Sequence, residues 1–173
     1  MKNLKNNKET VYYSTLFALL IAALLLVSCN NDDDSAPELE AWQIEVNQLR
    51  AAINPISAIN DAMAAGWNID ATGYMPNMGH HYIKLELIDN VFEIEKPEAL
   101  LFVPDENDVM QFVGVEYLVP IEDLDNPPPA PEGYTGTEDV WEISTMDSMW
   151  TLHVWIGLEN PDGIFARLNM TLD

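Results

Sequence analysis

Cysteine is nearly absent: Cys29 is the only one among 173 residues. One thiol forms neither an intrachain disulfide nor a thiolate metal cage. Cations are also scarce, with seven Lys and Arg against 29 Asp and Glu, a formal net charge of −22. Such a surface repels nucleic acid and anionic headgroups, so a polyanion-binding role is excluded. It attracts metal cations and basic partners, and it also keeps a protein dispersed. The signatures of common chemistries are missing too. There is no Gly-x-Ser-x-Gly, no phosphate loop, no His-Glu-x-x-His and no glycine-rich dinucleotide turn. No motif identifies a reaction.

What is present starts at the amino terminus. Lys2, Lys5 and Lys8 precede an apolar run from Val11 to Val27, dense in Leu and Ala from Leu16 onward. That is the layout of a secretory signal. Its end, Leu26-Val27-Ser28-Cys29, resembles a bacterial lipobox, which implies cleavage before Cys29 and lipid on that residue. The alternative is an uncleaved anchor, but the run is short of the roughly 20 residues a span needs. Residues 1–28 are therefore expected to be a lipoprotein signal peptide, 29–37 an acidic tether and 38–173 a single domain. Lys2, Lys5, Lys8 and Glu9 fall in the signal, so four cations and 28 acids would remain. The polar run Asn30 to Ser35 resembles a surface-export signal of lipoproteins in some Gram-negative groups. That implies an outer-membrane lipoprotein on the cell surface, with the periplasmic face as the alternative.

The stretch Met78 to Leu87 reads as a strand. Period-two alternation puts His81, Ile83, Leu85 and Leu87 on one face, and His80, Tyr82, Lys84 and Glu86 on the other. His81 points inward and His80 outward. A buried imidazole needs a hydrogen-bond partner or a metal. Gly79 leaves room beside it for another backbone or a ligand.

Upstream, Leu39, Trp42, Val46, Leu49 and Ile53 form one helical stripe, with Ser35 and Glu38 as a capping box and Pro37 in the first turn. Ile56, Ile59 and Met63 suggest a second short helix ending at Gly66. Downstream, Ala99 to Val103 and Val109 to Val119 read as a hairpin across an acidic turn. In its long strand Met110, Phe112, Gly114, Glu116 and Leu118 share a face. Both faces are largely apolar, so Glu116 is expected to be partly buried. Asn126 to Gly133 is a proline-rich loop. Trp141 and Ile143 mark a short strand, and Trp150 to Leu158 an aromatic one with Thr151, His153 and Trp155 on one face. Ile164 to Leu172 closes the chain as a short helix or strand.

Several short motifs recur in order. Ala62-Met63-Ala64-Ala65-Gly66-Trp67, Met78-Gly79-His80-His81-Tyr82, Pro97-Glu98-Ala99-Leu100, Val113-Gly114-Val115-Glu116-Tyr117, Leu152-His153-Val154-Trp155 and Asn160-Pro161-Asp162-Gly163-Ile164-Phe165-Ala166 resemble a family of uncharacterised bacterial secreted proteins and lipoproteins. The likeness covers most of residues 56 to 170. That family often ends in Trp-Asn-Pro and a terminal cysteine, whereas this chain has Leu168-Asn169-Met170. The resemblance carries no activity. It implies only that His81, Glu98, Glu116 and His153 recur.

The expected fold is α+β: two N-terminal helices packed on a mainly antiparallel sheet of five or six strands. A β-sandwich with a helical prefix is the second choice. Two imidazoles and a carboxylate suit a divalent metal such as zinc, iron or manganese, so His81, Glu116 and His153 are the candidate ligands, with Glu98 a further one. Neutral imidazoles are required, so affinity should fall below about pH 6. The competing expectation is a buried hydrogen-bonded His81–Glu116 pair. The functional expectation is a lipid-anchored extracytoplasmic domain, held to the membrane through Cys29, that binds a metal or small ligand and no nucleic acid. A structural or protein-interaction module using the aromatic strand and proline loop is the alternative. A metal-dependent hydrolase, with Glu116 as general base, is the third.

Overall fold

The computed structural model of the chain describes residues 38–172. The expected signal peptide, the lipid site Cys29 and the tether lie outside those residues. Six strands form: β1 (Ile69–Asp70), β2 (His80–Ile83), β3 (Ala99–Pro104), β4 (Met110–Pro120), β5 (Glu142–Ser144) and β6 (Met149–Val154). They form one sheet in the order β1-β2-β3-β4-β6-β5, and every pairing is antiparallel. The fold is α+β. Among the described residues, no helix is long and apolar enough to cross a membrane.

Helix α1 (Ala41–Ile53) lays Val46, Leu49 and Ile53 on one face of the sheet, against Leu100, Phe102, Val115, Tyr117, Leu152 and Val154. Edge-to-face packing of Trp42 on Phe165, centroids 5.7 Å apart, extends that core. The helix starts later than the sequence suggested: Gln43 Oε1 accepts the Glu40 N–H at 2.9 Å, and Leu39 is exposed ahead of it. The expected second packed helix shrinks to α2 (Ile59–Ala64), which buries only Ala62. Pro55 diverts the preceding residues into a 3-10 turn, and six residues are too few for an apolar stripe. One helix, not two, covers the sheet.

Strand β2 is also shorter than expected. Pairing stops at Ile83, the Lys84 N–H goes to the Glu98 carbonyl at 2.9 Å, and Leu85–Leu87 is a 3-10 turn with Leu85 exposed. The Lys84 ammonium caps α2 by donating to the Ala65 carbonyl at 2.8 Å. Gly79, at φ +88°, makes room for backbone rather than ligand. A Cβ there would lie 2.6 Å from the Phe102 carbonyl oxygen.

A β-bulge corrects the expected facing of β4. Leu101 opposes Gly114, but Phe102 opposes Phe112, which leaves Val113 without a partner. The extra residue reverses the alternation. Met110 and Phe112 therefore pack into the helix-side core, Phe112 meeting Phe102 edge to face at 5.7 Å. Gly114, Glu116 and Leu118 look out from the opposite face, where Val113 joins Leu101 and Trp155 in a small second cluster.

No second layer of helix or sheet covers that opposite face among the described residues. Loop 71–79 borders it through Thr72, Met75 and Met78, and Trp155, Leu158 and Leu172 join its small cluster, whereas Ile156, Ile164 and Phe165 of the same closing segment pack in the helix-side core. The segment 164–172 is neither helix nor strand, because its polar side chains bond backbone instead of leaving it to a ladder. Asn160 Nδ2 donates to the Leu168 carbonyl, and Asn169 Nδ2 to the Glu159 carbonyl. The proline loop is tied to the aromatic strand: Trp150 Nε1 donates to the Pro128 carbonyl at 3.3 Å.

Candidate metal centre

Directly opposed residues of an antiparallel ladder share a face. Ile83 opposes Ala99, Ala99 opposes Glu116, and Glu116 opposes His153, so these four form one row across the sheet. His81 heads the next row, opposite Leu101. It stands two strands from Glu116, about 10 Å at the usual strand spacing of roughly 4.8 Å. Ala99 and Leu101 of β3 stand between the two strands on this face.

The side chains of His81 and Glu116 do meet. His81 Nε2 lies 3.6 Å from Glu116 Oε2, and His153 Nε2 lies 3.6 Å from Glu116 Oε1. One donor atom from each of the three residues falls within 4.8 Å of the others, and all three residues are buried. Both 3.6 Å separations are too long for hydrogen bonds. The competing expectation of a hydrogen-bonded His81–Glu116 pair is thus not what forms. Ligands about 2.1 Å from a tetrahedral ion stand about 3.4 Å apart. The 3.6 Å contacts here reach two different oxygens of Glu116 and the three donor atoms lie within 4.8 Å of one another, so the side chains would have to draw together around an ion.

The Thr72 hydroxyl lies 2.8 Å from the Gly73 carbonyl oxygen, to which it donates, and 3.0 Å from His81 Nδ1. In the tautomer with the proton on Nδ1 that oxygen accepts from the ring, and Nε2 then presents its lone pair toward Glu116. His153 is 4% exposed, and its Nε2 is buried with no hydrogen-bond partner. Its ring stacks on Trp155, 6.0 Å between centroids and 16° between planes, which fixes the direction of that nitrogen.

Burial sets the charges. It pulls His81 down to about 4, with the Asp70 carboxylate opposing, and His153 down to about 3, helped by His81 and Arg167. It pushes Glu116 up to about 8, with Asp147 adding to the rise and Arg167 opposing it. At neutral pH the ion-free cluster holds two neutral imidazoles and a protonated carboxyl. Of the three groups, only Glu116 would have to lose a proton near neutral pH to serve as a ligand.

The cluster forms part of the wall of a cavity of about 410 Å³. Methionines 75, 78, 146 and 149 line it, with Thr72, Asp147 and Arg167 among its polar groups. Glu98 stands apart from the three candidate ligands. Its Oε2 accepts the Leu118 N–H at 3.0 Å, completing the β3–β4 ladder where β3 runs out, and burial pushes it up to about 7. His80 is engaged elsewhere, with Nδ1 2.8 Å from Asp70 Oδ2. Thr72 was not singled out from sequence, since a loop threonine carries no signal. The spacing Met-x-x-Met, present at 75–78 and again at 146–149, was readable.

The chain matches no family model, no curated protein and no solved structure.

Proposed function

We propose that this domain holds one transition-metal ion through His81, Glu116 and His153, leaving further coordination positions open to the cavity. The observation that carries the reading is the buried, unpartnered Nε2 of His153 facing a carboxylate that also faces His81 Nε2. A buried nitrogen without a partner costs about 1–3 kcal/mol. An ion recovers that cost and neutralises the carboxylate once its proton has left. Thr72 supplies the outer hydrogen bond that fixed imidazole ligands usually have. Glu116 faces both imidazoles, which suits a third ligand better than a free general base.

In this reading the domain works outside the cytoplasm, tethered by lipid on Cys29, and its acidic surface draws cations toward the cavity. The interaction-module alternative is less well supported, because Trp150 and the proline loop are engaged with each other. The test is metal analysis and calorimetric titration of the chain produced without a polyhistidine tag. Zinc should bind with one-to-one stoichiometry, and His81→Ala and His153→Ala should each abolish it. A folded protein that takes up no zinc, iron, manganese or copper would overturn the reading.

A further inference from the structure

Four of the chain's eight methionines line the cavity that holds the three candidate ligands. They come as two pairs of the same spacing on different elements. Met75 and Met78 lie in the loop leading into β2, and Met146 and Met149 in the β5–β6 hairpin. Their burial is graded: Met78 is 6% exposed, Met75 and Met149 are half-buried, and Met146 is 82% exposed. Packing explains Met78. It does not explain an apolar side chain held almost wholly in water at the tip of a hairpin, next to a cavity in a strongly acidic protein.

Thioether sulfur is a soft donor that favours Cu(I) over the hard ions, and imidazole binds copper well. Neither donor has to lose a proton to bind. Thioethers spread from the surface inward, ending at two imidazole nitrogens, would hand a soft cation from solvent to a buried site. The unpartnered Nε2 of His153 is the inner end of that series.

The geometry points to Cu(I) as the ion this site takes, received by the methionines of the cavity wall and held with His81 and His153. The inference rests on the proposed metal reading and deepens it by naming the ion.

The test is anaerobic titration of the chain with Cu(I) against a colorimetric Cu(I) chelator, beside a zinc titration of the same preparation. A variant with Met75, Met78, Met146 and Met149 all changed to Leu keeps side-chain volume nearly constant, and its thermal melt reports folding. The wild type should hold Cu(I) at least a hundredfold more tightly than zinc. The Leu variant should lose at least tenfold in Cu(I) affinity and less than twofold in zinc affinity. If the folded Leu variant keeps wild-type Cu(I) affinity, the methionines are packing only and the inference falls. Should the variant not fold, the single change Met146→Leu at the exposed tip decides, with a loss of at least threefold expected and no loss overturning it. Zinc bound as tightly as Cu(I) would overturn the copper assignment and leave the metal reading standing. Binding of neither ion would overturn both.

Discussion

Ion-free protein should be most stable near pH 5 to 6 and should weaken toward pH 8, against the usual trend for an acidic protein. Glu116 and Glu98 have folded values of about 8 and about 7, raised from 4.5. Their stabilisation is present at low pH and is lost as pH rises through those folded values. His81 and His153, lowered from 6.5 to about 4 and about 3, do the reverse: their stabilisation is present above 6.5 and is lost as pH falls. Between pH 6 and 8 the two carboxyls lose more than the two imidazoles regain. The linkage relation gives a net loss of about 2 kcal/mol, or a fall in Tm of roughly 6–8 °C for a domain of this size. A bound ion reverses this, because it needs Glu116 ionised. Affinity should rise about tenfold per pH unit below 8, with one proton released. At a hundred times Kd the ion adds about 2.7 kcal/mol. Thermal melts from pH 4 to 9, with a chelator and with saturating zinc, make the comparison. If the ion-free Tm stays flat or rises between pH 6 and 8, the carboxyls are not held as described.

Substitutions at three positions separate the site from the scaffold. His153→Leu removes the unpartnered nitrogen, so it should leave ion-free stability unchanged or raise it by about 1 kcal/mol while abolishing zinc uptake; a loss above about 2 kcal/mol in chemical unfolding would contradict an unsatisfied Nε2. Thr72→Val should weaken zinc binding about 10- to 100-fold in calorimetry with little change in Tm, because it frees the tautomer of His81. Glu98→Ala leaves the buried Leu118 N–H without an acceptor and should cost about 1–3 kcal/mol, whereas Glu98→Gln restores an acceptor and should recover most of it in urea unfolding.

Period-two alternation was enough to put His81 on an inward face and to set His153 on the face opposite Leu152 and Val154, but not to say that this second face was buried as well. It was not enough for β4, where one unpaired residue at Val113 reversed the parity for Met110 and Phe112 while sparing Glu116. A bulge depends on which strand lies alongside, and that is not local information. The same limit applies to the site. His81, Glu116 and His153 are far apart in sequence, and their meeting depends on the strand order β2-β3-β4-β6. The helical stripe of α1 was legible because burial follows it from Val46 to Ile53. The irregular coverings 71–79 and 155–172 were not, since side-chain hydrogen bonds rather than any periodicity hold them.

The two margins of the sheet are a strand of two residues and one of three. An unpaired margin is a template on which another chain can assemble, and the hazard grows with local crowding. So little backbone is offered at either side that a second molecule would find only a few amide partners.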